Sequence, residues 1–239
     1  MKNAAKHRSF MDANTENSIR QEQIESFGRL MAGFAHDMKN HLGIIRESNG
    51  LMGDILEMGV LGGDAKMLER LKKSIDAIER RVVISANMMH HLSGLAHRPD
   101  HPFSSFLIND VIKEEYVFLE RFSRLKQINI VMELQEMLPA VYNDPSLLQH
   151  VVYRIYSQCL ELLESGQSLS IVTEVEGNRA VLVFRFPFGV SVTDGETLLH
   201  TTLLSAVEKM EGTLTIKDKN KDGMEIRLGI PSLSVDSTS

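Results

Sequence analysis

Cysteine is almost absent from this chain of 239 residues, and acidic residues outnumber basic ones. The single cysteine, Cys159, excludes an internal disulfide and any multi-cysteine zinc or iron–sulfur centre. With 26 basic and 32 acidic residues the net charge is −6, which argues against a nucleic-acid partner held by bulk electrostatics. Long apolar runs are also missing, since residues 180–190 are interrupted by Arg185 and are too few to span a membrane. The N-terminus has no apolar signal core, so we expect a cytoplasmic protein with no membrane partner.

Two long amphipathic helices are predicted over residues 19–98, after a polar, aperiodic segment, 1–18, that we interpret as a flexible arm. Apolar residues of the first helix recur at steps of three and four: Phe27, Leu30, Met31, Phe34, Met38, Leu42, Ile45, Met52, Ile55 and Leu56. Those of the second helix are Leu68, Leu71, Ile75, Ile78, Val82, Met89, Leu92 and Ala96. The glycine-rich segment 59–64 predicts a turn, so the helices should form an antiparallel hairpin. Because one hairpin cannot easily bury a stripe on both helices, we expect a homodimer joined through a four-helix bundle.

A change of pattern marks a second domain. Two prolines within 97–103 end the helical part. Residues 103–232 then alternate between helical and strand patterns, and 233–239 are predicted to be a flexible tail. This order is typical of an α+β sandwich with helices packed on one face of a sheet.

Local signals place several elements of this second domain. Asp144 and Pro145 are the preferred N-cap and first-turn residues of a helix, and Asn109 is a second predicted N-cap. Turn residues at 176–178 and 219–223 each predict a β-hairpin. The domain should therefore contain antiparallel strand pairs together with helices.

The sharpest chemical signal lies around His36. This residue stands between Phe34 and Met38 of the apolar stripe, so its imidazole should point outward. Asp37 is adjacent, and Asn40 lies one helical turn further on the same face. An exposed imidazole beside a carboxylate suits nucleophilic phosphoryl chemistry, because the neutral ring attacks phosphorus through one nitrogen while the acid orients or accepts a ring proton.

Residues 34–42, Phe-Ala-His-Asp-Met-Lys-Asn-His-Leu, resemble the H-box of two-component sensor histidine kinases. The resemblance implies that His36 is the phospho-accepting histidine, Asp37 the acid that assists it, and Asn40 the residue that orients a water or the phosphoryl group. Where that family carries a proline after the asparagine, this chain has His41. The alternative interpretation of His36 is an ordinary exposed histidine on a coiled-coil surface.

The resemblance continues through residues 103–230, which are similar to the ATP-binding domain of the same kinases. Arg154 and Gln158 stand where the family places the asparagines that face phosphate and magnesium. Residues 186–187, Phe-Pro, replace the acid that hydrogen-bonds adenine, and 197–202 contain no glycine where the family has a glycine-rich loop. The resemblance therefore implies a degenerate ATPase-like sandwich that binds no ATP or metal of its own, with Mg²⁺ expected only on a partner receiver domain.

These features lead to one main hypothesis and several alternatives. The chain most resembles the dimeric histidine phosphotransferases derived from histidine kinases, which implies that His36 accepts phosphoryl from a receiver-domain aspartate and passes it to another receiver. Response-regulator receiver domains are then the expected partners. The alternatives are a phosphatase of a phosphorylated response regulator, in which Asn40 positions water, a non-catalytic pseudokinase binding module, and an ATP-dependent sensor histidine kinase.

Overall fold

A computed structural model of the chain describes residues 13–58, 65–100, 102–187, 200–218 and 223–233. The chain divides into two compact units, Arg29–His97 and a second that joins Met1–Gly28 to Arg98–Ser239. We call them the hairpin unit and the sandwich unit. The predicted turn at 59–64 and most of the predicted tail lie outside the described residues, as do 188–199 and 219–222.

The predicted α+β class, a long helical hairpin followed by an α/β sandwich, is confirmed. The helices are α1 Ala13–Glu57, α2 Ala65–His97, α3 Ile108–Lys126, α4 Pro145–Leu162 and α5 Thr201–Lys209. The strands are β1 Ser104–Phe106, β2 Asn129–Leu134, β3 Val141–Asn143, β4 Ser168–Glu176, β5 Arg179–Phe186, β6 Thr213–Asp218 and β7 Met224–Pro231. None of the described helices combines the length and the apolar stretch that crossing a membrane would require.

The hairpin unit pairs α1 with α2 through a row of buried and half-buried residues that we call the seam. On α2 its members alternate at steps of four and three: Met67, Leu71, Ser74, Ile78, Arg81, Ser85, Met88, Leu92 and Leu95. On α1 they are Leu30, Phe34, Asp37, His41, Ile44, Ser48, Met52 and Ile55. The guanidinium of Arg81 reaches His41 across the seam, so these two residues lie level with each other in the antiparallel pair.

The apolar stripe predicted on α2 is divided between two faces. Part of it lies in the seam, but a second row, the outer stripe, recurs every seven residues and is about half exposed: Leu68 54%, Ile75 49%, Val82 52% and Met89 52%. A helix that packs against a single neighbour buries only one face. The outer stripe is therefore left uncovered in one chain.

The sandwich unit is built on a five-stranded sheet in the order β2-β4-β5-β7-β6. Strand β2 runs parallel to β4, and the other neighbours are antiparallel. Helices α3, α4 and α5 contact the sheet, and α4 contacts both of the other helices. The face beneath them holds the apolar core, including Leu169, Ile171, Leu182, Phe184, Ile226 and Leu228. A separate antiparallel pair, β1 with β3, was not predicted because each strand is only three residues long.

The two predicted helix caps have different outcomes. Asp144 caps α4 as expected, since its carboxylate accepts hydrogen bonds from two backbone N–H groups of the first turn. Asn109 is not a cap, because α3 begins at Ile108 after Leu107. Its side chain instead donates to the backbone oxygen of Gln135 and accepts from the hydroxyl of Thr173. The side-chain amide of Asn109 therefore binds residues distant in sequence instead of the N-terminus of α3.

Helix α1 begins at Ala13, within the segment predicted to be an arm. Its first turns belong to the sandwich unit, where Lys209 Nζ lies 2.7 Å from Glu16 Oε1. Ile19 is 1% exposed, and the Ser26 hydroxyl lies 3.0 Å from His150 Nδ1. Sequence periodicity could not locate this start because the anchoring residues, His150 and Lys209, are distant in the chain.

Candidate functional site

His36 stands on the outside of the hairpin unit with two polar neighbours. Its side chain is 53% exposed. The Asn40 amide nitrogen lies 3.1 Å from His36 Nδ1, and Asp37 Oδ1 lies 3.5 Å from the same ring nitrogen. The structure thus brings together the three side chains that the sequence singled out, and it directs two of them at Nδ1.

Nδ1 of His36 can serve these neighbours in two ways. If the Asn40 amide donates to Nδ1, that nitrogen must hold a lone pair, and the ring proton lies on Nε2. If Nδ1 carries the proton, it donates to Asp37, and Asn40 turns its oxygen toward the ring, because amide oxygen and nitrogen are interchangeable in shape. Only the second form leaves a lone pair on Nε2. Asp37 is therefore the neighbour that favours the tautomer with its lone pair on Nε2.

Polar residues occupy the seam at the level of this site. Asp37 belongs to the seam and its side chain is only 18% exposed, in contrast to His36. His41 follows one turn later and is reached by Arg81 Nη1, which lies 3.5 Å from His41 Nδ1. Ser85, one turn beyond Arg81, lies level with Asp37 in the antiparallel register, and its buried hydroxyl has no hydrogen-bond partner.

Sequence reasoning missed Arg81 because the predicted stripe agrees with the seam at Leu71, Ile78 and Leu92 but elsewhere takes the residue after the seam position, as with Val82 in place of Arg81. The signal that could have found it is a second heptad frame, Ser74, Ile78, Arg81, Ser85 and Met88, in which an arginine takes a central position.

In the sandwich unit, α4 presents a second polar group. Arg154 Nε lies 3.6 Å from Glu22 Oε2, and His150 Nε2 lies 3.8 Å from the same oxygen. Burial, together with the charge of Arg154, lowers the pKa of His150 to about 4, so its ring is neutral near pH 7. Further along the helix, Gln158 is 9% exposed, and neither its amide oxygen nor its amide nitrogen has a partner.

The end of β5 is apolar and buried. Phe186 is 3% exposed and pairs with Met224 of β7. Gly223, at φ +104°, approaches the Phe186 carbonyl so closely that a side chain at this glycine would collide with it. The glycine-poor segment from 197 onward falls largely outside the described residues.

No cluster of three or more His, Cys, Asp or Glu side chains that could hold a metal ion occurs in the described parts of the chain. The single thiol of the chain, Cys159, is not a candidate nucleophile or metal ligand. Cys159 is fully buried, and burial raises the pKa of its thiol, which keeps it protonated and unreactive.

No protein-family model matches the sequence. Sensor histidine kinase ZraS of Salmonella typhimurium, however, is 22% identical over 246 residues, covering 95% of this chain and 50% of that protein. The chain is histidine-kinase-like. ZraS of Escherichia coli K12 is also 22% identical, over 230 residues, 89% of this chain and 47% of the relative. This histidine-kinase-like chain therefore spans about half the length of the curated relatives it matches.

Solved histidine kinases are more distant. Acinetobacter baumannii AdeS is 16% identical, and its superposition has a TM-score of 0.46. The matched region covers 83% of this chain and 98% of the AdeS chain. Histidine kinase ThkA, in a complex with response regulator protein TrrA, is 17% identical, with a TM-score of 0.47 over 94% of this chain and 68% of ThkA. Neither likeness is close enough to assign roles to individual residues.

Proposed function

We propose that this histidine-kinase-like chain is a histidine phosphotransferase in a two-component phosphorelay. The observation that carries the proposal is the exposed His36 ring, with Asp37 and Asn40 directed at Nδ1. The Nε2 lone pair attacks the phosphorus of a receiver-domain aspartyl phosphate. An N–P bond forms as the P–O bond to the aspartate breaks, and the aspartate leaves as a carboxylate. The Nδ1 proton stays on the ring, directed at Asp37, and the reverse reaction passes the phosphoryl group to a second receiver.

Phosphoryl would enter from a receiver rather than from ATP. Arg154, which would face a bound polyphosphate, is paired with the Glu22 carboxylate, whose negative charge opposes such a ligand. Gln158 is buried, and the side chain of Phe186 offers no acceptor to an adenine amine. These residues do not fit Mg-ATP, so in this proposal Mg²⁺ is required only by the partner receiver domain.

The active form would be a homodimer. The outer stripe repeats every seven residues, as expected of a helix that contacts a second chain in a bundle. Its members are about half exposed in one chain, although they are large and apolar. A second copy, related by a two-fold axis, would cover this stripe with the same stripe of its own.

The test follows labelled phosphate from a phosphorylated receiver domain to the purified protein, with no ATP present. We expect an acid-labile adduct on the wild-type chain and none on His36→Ala. The matched control is His90→Ala, an exposed histidine of α2, which should accept label normally. Uptake that survives in His36→Ala would contradict the proposal, and no uptake in any variant would favour a non-catalytic binding module.

A phosphatase activity at the same site is the second candidate, because the Asn40 amide lies 3.1 Å from the His36 ring, where it could also position a water. Asn40→Ala should then abolish release of free phosphate from the receiver but spare transfer to His36. Asn49→Ala, an exposed asparagine of the same helix, is the control and should change neither activity. An equal loss of both activities in Asn40→Ala would show that this assignment of Asn40 is wrong.

A further inference from the structure

We propose that Arg81 of α2 is a positioning residue for His36 and acts through His41 and Asp37. The proposal rests on the proposed function, since it explains how the nucleophilic form of His36 is maintained. It assigns a role to a polar layer of the seam whose facing residues, His41 and Arg81, are 40 residues apart in sequence.

The first link is the contact between Arg81 and His41. Arginine is always protonated and can only donate hydrogen bonds. Because its Nη1 faces His41 Nδ1 at 3.5 Å, that nitrogen must offer a lone pair. The proton of the neutral His41 ring then lies on Nε2, and Arg81 has selected one of its two tautomers.

The second link joins His41 to Asp37. The two residues are one helical turn apart on the seam face of α1, where side chains four residues apart are neighbours. His41 in the selected tautomer can donate its Nε2–H toward the Asp37 carboxylate. Asp37 has two oxygens with about four acceptor positions between them, so it can accept from His41 and from His36 together.

The third link is the effect on His36. An Asp37 carboxylate held by His41 presents Oδ1 to His36 Nδ1, the contact seen at 3.5 Å. This keeps the His36 proton on Nδ1 and the lone pair on Nε2. Without Arg81, His41 is free to change tautomer and Asp37 loses a donor. The Asn40 amide, 3.1 Å from Nδ1, then competes more successfully and moves the proton to Nε2.

If Arg81 only stabilised the hairpin unit, its replacement would lower the melting temperature, and transfer would slow for that reason. A charged residue within a helical seam is seldom the most stable choice, and an apolar residue of similar size is often neutral or stabilising there. Arg81→Leu should therefore leave the melting temperature unchanged or raise it, while still slowing transfer. A variant that is stable but slow separates positioning from folding.

The experiment reads the His36 tautomer directly, from ring ¹⁵N chemical shifts of the unphosphorylated full chain, with His36 signals assigned by their loss in His36→Ala. We expect Arg81→Gln to shift His36 toward the Nε2–H tautomer and to slow label uptake from a phosphorylated receiver by about tenfold, as loss of the partner that orients a histidine commonly does. Arg81→Lys, which keeps a donor and a charge, should restore part of both. The matched control is Arg80→Gln, because exposed Arg80 donates to the backbone oxygen of Asp76 and should behave as wild type.

A double variant tests the route. If Arg81 acts through His41, combining Arg81→Gln with His41→Ala should slow transfer no more than His41→Ala alone. An unchanged His36 tautomer in both Arg81→Gln and Arg81→Leu would overturn the proposal, even if transfer slowed. The expected tautomer shift in a chain that accepts no phosphoryl group would support the positioning role and contradict the proposed function.

Discussion

The two units of this chain differ in how completely each buries its own residues. In the sandwich unit, side chains such as Leu148, Ile155, Leu182, Phe184 and Leu228 are fully buried. In the described residues of the hairpin unit only five side chains are buried, namely Leu30, Ile55, Ser74, Met88 and Leu95. The sandwich unit has a complete core of its own, whereas the hairpin unit carries polar groups in its seam and leaves apolar groups outside. The proposed chemistry and the proposed dimer contact both lie in the unit that buries fewer of its own side chains.

The largest effect should come from the core of the sandwich unit. Phe184 of β5 is 0% exposed, so Phe184→Ala should lower the free energy of unfolding by about 3–5 kcal/mol through lost burial and a residual cavity. Phe103→Ala, at a position that is 43% exposed, is the matched control and should cost much less. Denaturant unfolding measures both, and equal losses would show that the sandwich core is not the stabilising element.

A charge in the outer stripe should disrupt assembly rather than folding. Val82→Asp would bring two unpaired carboxylates into a symmetric interface, so we expect the dimer dissociation constant to rise at least about 100-fold, close to 2.7 kcal/mol. Val83 is the matched control because it is equally exposed, at 53% against 52% for Val82, but points away from the stripe. Analytical ultracentrifugation distinguishes the two, and identical behaviour of Val82→Asp and Val83→Asp would mean that the outer stripe is not the interface.

An effect that depends on pH is expected at Glu115 of α3. Burial raises the pKa of this fully buried carboxyl well above its ordinary value of 4.5, and the charge of Arg98 only partly opposes this. The unfolded chain therefore loses this proton at lower pH than the folded chain does. The contribution of Glu115 to stability is present below pH 4.5 and declines as the pH rises toward the raised pKa, by about 1.4 kcal/mol for each pH unit crossed.

Glu115→Gln tests this directly because it keeps the shape and removes the titration. Relative to wild type, the variant should gain stability between pH 4 and pH 7 in denaturant unfolding. Glu120→Gln, on the exposed side of the same helix, should remain within about 0.5 kcal/mol of wild type throughout. A difference between Glu115→Gln and wild type that does not vary with pH would contradict the assignment.

Local patterns predicted most of the fold. The Asp144 cap and the β4–β5 hairpin around Gly177, which has φ +58°, were predicted because turn and cap chemistry involves neighbours in sequence. The partners of Asn109 and the start of α1 were not, since both depend on residues far along the chain. Periodicity also merged the seam with the outer stripe, because it shows which residues are apolar but not which neighbour each face meets.

The candidate site also has one part that local spacing reveals and one part that depends on a tertiary contact. His36, Asp37 and Asn40 could be found because a single helix places them together. Arg81 leaves only the weak signal of an arginine within a heptad frame, and its contact with His41 becomes visible only in the antiparallel register of the hairpin. Contacts between residues of different helices leave little trace in spacing along one chain.

The central claim is that phosphoryl reaches His36 from a receiver domain and not from ATP. The most direct measurement compares two labelled donors on the purified chain, a phosphorylated receiver without nucleotide and Mg-ATP without a receiver, and locates the label by mass spectrometry. The account predicts label on His36 from the receiver and none from ATP. Label on His36 from ATP alone would contradict it and would make the sandwich unit a working kinase domain.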